Sequence, residues 1–161
     1  MDQPELSKPG FHLLLGVWHG RGVSDFPTIP RAEYEETLRV EWDDAREVFF
    51  YEQKVVLADG SPSHREFGFI RVSDDGVVDL WNAQKNGRSE VLTGTSTWDP
   101  EGAVLQLDLR SVSYGGDPRM IRSRRVITVG SDSLRYDLSM QTTTAPSADL
   151  LPHLECEMTR G

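Results

Sequence analysis

Gly16-Val17-Trp18-His19-Gly20-Arg21-Gly22 is the stretch whose reading decides the fold. In an extended strand alternate residues share a face, so Gly16, Trp18, Gly20 and Gly22 lie together. A glycine face permits sharp curvature and close approach of a neighbouring backbone, as barrel closure demands. Trp18 is expected to fill the space those glycines leave, a structural role. Outward from this stretch, Asp59-Gly60, Asp75-Gly76, Asn86-Gly87, Glu101-Gly102 and Gly130-Ser131-Asp132-Ser133 separate alternating apolar segments, as hairpin turns do. They mark strands near residues 16–24, 33–42, 47–58, 64–73, 77–85, 88–98, 103–113, 119–129, 133–144 and 153–160. Leu134, Tyr136, Leu138 and Met140 keep strict alternation, whereas Val104, Leu107 and Leu109 interrupt it. Residues 5–15 alone suggest a short N-terminal helix, weakened by Pro9 and Gly10. Consecutive antiparallel strands must hide two sheet edges, and closing into a barrel removes both. The prediction is an all-β, ten-stranded antiparallel up-and-down barrel with room inside for one small ligand or cofactor.

Composition narrows the function classes. The chain has 161 residues, which as a prior makes one domain over 1–161. Seventeen Lys+Arg against 26 Asp+Glu give a net charge of −9. That acidity argues against nucleic acid as a partner, because phosphate recognition needs a basic face. The single cysteine, Cys156, excludes an internal disulfide and a four-cysteine zinc site, and fits a reducing cytoplasm. No signal peptide is read at the N-terminus, and no run of Val, Leu and Ile, Leu13-Leu14-Leu15 included, exceeds three residues, so no membrane association is expected.

Familiar catalytic motifs are missing: no G-x-S-x-G, phosphate loop, H-E-x-x-H or C-x-x-C occurs. Adjacent acids such as Glu35-Glu36 and Asp43-Asp44 point to opposite faces of a strand and do not make a catalytic pair. Of four histidines, His12 and His19 read as surface residues. His64 opens a strand after the turn at 59–63, and His153 opens the last strand directly after Pro152. Imidazole is the commonest protein ligand for transition metals and haem iron. Parity, however, puts His153 with Glu155 and Glu157, opposite the core-directed Leu154, Cys156 and Met158. A cofactor at the barrel mouth or a bulge after Pro152 would reconcile the two.

Several segments in order resemble the nitrobindins, haem-containing barrels also called peroxynitrite isomerases. Residues 16–22 match that family's G-x-W-x-G-x-G, followed by Phe26-Pro27-Thr28-Ile29 and Tyr34-Glu35-Glu36. Residues 62–71, Pro-Ser-His-Arg-Glu-Phe-Gly-Phe-Ile-Arg, resemble its P-x-H-x-E-x-G-[FY]-x-R. Met140-Gln141-Thr142-Thr143-Thr144-Ala145-Pro146 resembles M-x-T-T-T-x-P, and His153-Leu154 matches the pair opening the last strand. The resemblance covers roughly residues 10–160 and implies a barrel like the fatty-acid-binding proteins. It implies ferric haem b as cofactor, His153 as proximal iron ligand, Thr28 in contact with the haem and His64 near the pocket.

The activity implied is isomerisation of peroxynitrite to nitrate, with reversible nitric oxide binding at the open iron position. The partners implied are therefore small molecules. No residue beyond the haem iron is expected to be catalytic, and the oligomeric state stays open, a homodimer included. Two departures stand out. The spacer Ser147–Pro152 is longer than in the family, which predicts a rearranged loop before His153, and the arginine-rich stretch 119–125 lacks a lysine found in some relatives. Two rival readings remain at this point. One is a haem store or nitric oxide sensor without turnover. The other is an apo-carrier of a fatty acid or other apolar ligand, its carboxylate held by Arg110, Arg122 or Arg124.

Overall fold

Ten strands joined by short connections run in chain order: β1 (Gly16–Phe26), β2 (Ile29–Asp43), β3 (Val48–Leu57), β4 (Pro62–Val72), β5 (Val77–Gln84), β6 (Ser89–Asp99), β7 (Val104–Gly115), β8 (Met120–Val129), β9 (Ser133–Thr142) and β10 (Leu151–Arg160). This computed structural model describes residues 6, 8–145 and 147–161. Each strand pairs antiparallel with its chain neighbour, and β1 also pairs with β10, which closes the barrel. The expected up-and-down architecture is therefore present. Gly60, Gly76 and Gly87 take positive φ at hairpin turns, as the Asp-Gly and Asn-Gly signals require. β2 begins earlier than its alternation suggested because Phe26 pairs with Ile29 across a tight Pro27-Thr28 turn.

The helix expected over 5–15 does not form. Only Phe11–Leu14 make a single 3₁₀ turn, and residues 1–5 and 7 lie outside the described residues. Gly10 enters it at φ 82 so close to Trp98 that no Cβ would fit, and no side chain caps the turn. A short, uncapped segment has little helical stability of its own, so packing decides its shape. Phe11, Leu13 and Leu14 are buried and plug one end of the barrel. The Trp18 indole donates to the Leu14 carbonyl at 3.0 Å, and the Arg160 guanidinium lies 4.2 Å from the Trp18 ring centroid. Arg160 also donates to the Leu13 and Leu15 carbonyls, tying the last strand to the plug.

The glycine face works differently from its expected role. Trp18 is 0% exposed, but it seals the plugged end. Met158 lies over Gly20 and the Tyr34 ring over Gly22. A Cβ on Gly22 would strike both that ring and the Glu155 carbonyl. Gly22→Ala is expected to cost about 1–3 kcal/mol, the range for overpacking a tight interior. Thermal melts check this, and an unchanged midpoint would show that Tyr34 yields freely. In β7 the inward set is Leu105, Leu107 and Leu109, all 0% exposed, so alternation is strict once Val104 is not counted as core.

Register shifts gather at the other end. They fall at Ser24/Phe26, Val55/Val56, Val91/Leu92, Met120/Arg122 and Pro152/Leu154. Each lies beside a connection at the unplugged rim. Bulges insert a residue and re-aim side chains, and they favour barrel rims and binding sites.

Candidate functional site

A cavity of about 380 Å³ opens at that rim, within the range of small-molecule and cofactor sites. One wall is apolar, built by Met120, Leu138, Met140 and Leu154. Phe26, Met140 and Ala145 form a small core cluster there, separate from the main one. The floor is polar, with Gln53, Glu66, Glu90, Arg125 and Tyr136. A planar, largely apolar group with polar substituents suits such a lining.

The bulge at Pro152/Leu154 resolves the parity conflict at His153. Because the register shifts there, His153 and Leu154 both line the cavity, while Cys156 and Met158 keep their places in the core. The Phe26 ring meets the imidazole edge-on, with centroids 5.4 Å apart. Nδ1 of His153 is buried and has no hydrogen-bond partner. Burial pushes its pKa down to about 4, partly offset by the Asp25 backbone. The imidazole is therefore neutral at physiological pH, the form that binds metals. Among the described residues no cluster of three or more His, Cys, Asp or Glu could hold a bare metal ion. One imidazole suits an iron whose other donors come from a porphyrin, and a neutral imidazole lining the cavity fits that role.

His64 lines the same cavity, and its Nε2 lies 3.4 Å from Glu66 Oε2. Thr28 is exposed in the β1–β2 turn at the rim, where its neighbour Ile29 reaches the cavity. His19 is exposed and His12 half-buried against Trp98 at the plugged end, so neither reaches the cavity. In the spacer before His153, the Ala148 carbonyl accepts from Arg122 at 3.0 Å and the Ser147 carbonyl from Gln141 at 3.4 Å.

The sequence reading missed the floor. Arg125 donates to Glu66 at 2.7 and 3.1 Å and to Glu90 at 3.0 Å, deep inside the barrel. Tyr51 donates to Glu66 at 2.5 Å, and Ser123 donates to Glu90. Burial alone would raise the Glu66 carboxyl, but the Arg125 charge and hydrogen bonds from His64, Arg125 and Tyr51 hold it at about 2. The arginines singled out as carboxylate anchors point elsewhere: Arg110 and Arg122 are exposed, and Arg124 pairs with Asp108 on the outer surface. The inward residue is Arg125, and two glutamates already engage it. None of those three arginines lines the cavity, so none can hold a fatty-acid carboxylate inside it.

Glu36 is the second omission. It is 3% exposed beside the exposed Glu35, as adjacent strand positions dictate. Tyr136 donates to Glu36 Oε2 at 2.5 Å, Gln53 donates to the Tyr136 oxygen at 3.2 Å, and the Tyr34 and Tyr136 hydroxyls are 3.0 Å apart. Burial raises the Glu36 pKa to about 7, against the pull of the Tyr136 hydrogen bond. The unfolded chain ionises this group near pH 4.5, so between the two values the folded protein holds the extra proton. Stability should therefore fall as pH rises from about 4.5 to 7. Glu36→Gln is expected to flatten that slope and to add about 1–3 kcal/mol at pH 8. Urea titrations across pH test this, and parallel slopes in the two proteins would refute it.

Comparison with known proteins agrees with this geometry. Residues 10–160 match the family described as THAP4-like, heme-binding beta-barrel domain. The chain belongs to that family. Among curated relatives of this heme-binding barrel family, a protein named peroxynitrite isomerase Rv2717c, from Arabidopsis thaliana, is 35% identical over 143 residues, covering 88% of this chain and 81% of that one. Peroxynitrite isomerase 2 of Mycobacterium ulcerans (strain Agy99) is 32% identical over 154 residues, covering 91% and 90%. The crystal structure of Rv2717c from M. tuberculosis superposes with a TM-score of 0.84 at 30% identity, covering 96% of this chain and 98% of that one. The family's defining barrel is thus shared over nearly the whole length.

Proposed function

We propose that this chain is a haem protein that isomerises peroxynitrite to nitrate and binds nitric oxide reversibly, with His153 as the proximal ligand of a ferric haem b. The observation that carries the reading is the bulge that turns His153 into the cavity, where burial keeps its imidazole neutral. The names of the curated relatives support the reaction. When bound, ferric haem supplies a Lewis acid with one open position, which suits an anionic oxygen ligand.

The chain's own residues bind and orient. His153 stays neutral because it is buried, so a proton does not compete for the ligating nitrogen. Phe26 holds its ring from the side. Met120, Leu138 and Met140 would pack against the apolar part of the group and limit water on that side. Thr28, in the rim turn next to Ile29, would meet the edge of the group, and His64 lines the same space beside Glu66. Isomerisation consumes no net proton, in keeping with a site that lacks a nucleophile–base pair. The single buried Cys156 thiol, its pKa pushed well up by burial, is inert and compatible with a cytoplasmic setting.

Haemin titration followed by visible absorption should give a saturable Soret band, and stopped-flow mixing should show faster peroxynitrite loss with nitrate as product. Saturable haem binding without acceleration would leave a haem store or nitric oxide sensor. No saturable spectrum would end the haem reading.

A further inference from the structure

Beneath the main cavity lies a second chamber of about 50 Å³. Gln53, Arg125 and Tyr136 line both spaces and form the partition between them. Most of the lower wall is aliphatic, including Leu14, Val40, Ile70 and Leu80, but Glu36 and Arg125 also border it. Glu36 Oε1 and Arg125 Nε are both buried with no protein hydrogen-bond partner. One is an acceptor and the other a donor. Buried groups left unpaired are costly, and a water needs only about 10–15 Å³ and two to four polar partners.

Charge counting points the same way. Among the described residues the barrel interior buries three glutamates, Glu36, Glu66 and Glu90, and one arginine, Arg125. Arg125 contacts Glu66 and Glu90 directly but not Glu36. A third carboxylate beside that cluster would be an uncompensated buried charge, which folded proteins avoid by taking up a proton. The groups facing Glu36 are Tyr34 on its own strand, Tyr51 and Gln53 on β3, Glu66 on β4, Arg125 on β8, Tyr136 on β9 and Cys156 on β10. Of these only Arg125 is a cation.

We propose that the lower chamber holds a water between Glu36 and Arg125, and that Glu36 is a proton-exchange site serving the main cavity through the hydroxyls of Tyr136 and Tyr34. The two tyrosines line the main cavity, whereas Glu36 lines only the lower chamber. When Glu36 is protonated on Oε2, its short bond to Tyr136 runs the other way, and going out the Glu36 O–H bond breaks as the proton passes to the Tyr136 oxygen. The Tyr136 proton passes to Tyr34, whose hydroxyl turns from the Glu155 carbonyl to give its own proton to an oxygen anion in the main cavity. The carboxylate keeps the electron pair, both tyrosines end neutral, and the anion becomes its conjugate acid. When the ligand leaves, the same steps reversed return the proton. Glu36 is a positioning residue in this scheme, since it acts through the tyrosines. A ligand whose charge changes during its stay could thus be met without a solvent channel through the barrel floor.

The test needs no haem, so its outcome is independent of the functional reading above. Infrared spectra of the haem-free chain near pH 6 should contain the carbonyl band of a protonated carboxylic acid, fading as pH rises. Glu36→Gln should lose that band. On transfer to D₂O the band should shift rapidly in the wild type, whereas Tyr34→Phe, which keeps Glu36 and its Tyr136 bond, should retain the band but lose the rapid shift. A high-resolution crystal structure should place a water within hydrogen-bond reach of Glu36 Oε1 and Arg125 Nε. No acid band at pH 6, a band that survives Glu36→Gln, equally rapid exchange in Tyr34→Phe, or a dry chamber would each overturn the proposal.

Discussion

His153→Ala should abolish tight haem binding while leaving the far-ultraviolet circular dichroism β-rich. Changes one shell out from a metal typically cost roughly 10–100-fold in affinity, and loss of the ligand itself should exceed that. The fold should persist because His153 is only half-buried and sits at a bulge beside the rim. His12→Ala and His19→Ala should bind haem normally, since both lie away from the cavity. His64→Ala should change affinity or ligand kinetics modestly, because its imidazole reaches the cavity but is held by Glu66. Soret titrations of the four variants decide the matter. Wild-type affinity in His153→Ala would remove the central residue of the proposed site, whereas loss in His64→Ala alone would move the ligand to the opposite wall.

Trp18→Ala should destabilise the barrel by about 3–5 kcal/mol, the usual loss for a buried large aromatic. For a domain of this size the melting midpoint should drop by roughly 6–20 °C. Trp18 is fully buried, its indole N–H is bonded to Leu14, and Arg160 stacks on its ring, so one truncation loosens the plug, the first strand and the last together. Haem affinity of the protein that remains folded should barely change, because the cavity opens at the opposite end. An unchanged melt with a lost Soret band would reverse both assignments.

The barrel was readable because its information is local. Asp59-Gly60, Asp75-Gly76 and Asn86-Gly87 carry the turn chemistry, and Leu134, Tyr136 and Met140 carry the period of two. The 3₁₀ plug was misread as a helix because packing against Trp18 and Phe49, not propensity, shapes those four residues. At the site, His153 was reached through the family resemblance, but strand parity alone pointed it outward. A single extra residue at the bulge reverses that parity, and nothing in Leu151-Pro152-His153-Leu154 beyond the proline announces it. Arg125 was passed over for Arg122 and Arg124 although it shares the inward face with Ser123, Ile127 and Val129 along a regular stretch of β8, a parity that was not weighed for the arginines. Glu36 was legible. It shares a face with Tyr34 and Val40, and an acid in such a set signals a buried carboxyl, but only its adjacency to Glu35 was weighed.

The clustering of every register shift at one rim also bears on how this barrel can be altered. A one-residue insertion or deletion inside a regular strand inverts all side chains beyond it. In the plugged half that inversion would push Leu105 or Leu134 into solvent and a charged neighbour into the core. At the rim, strands already carry odd residues, so a gained or lost residue re-aims a few cavity side chains and stops at the adjacent loop. Length variation among homologues, and libraries built to recruit other prosthetic groups, should therefore concentrate at residues 24–29, 56–64, 112–122 and 142–154, while the half holding Trp18 keeps its length.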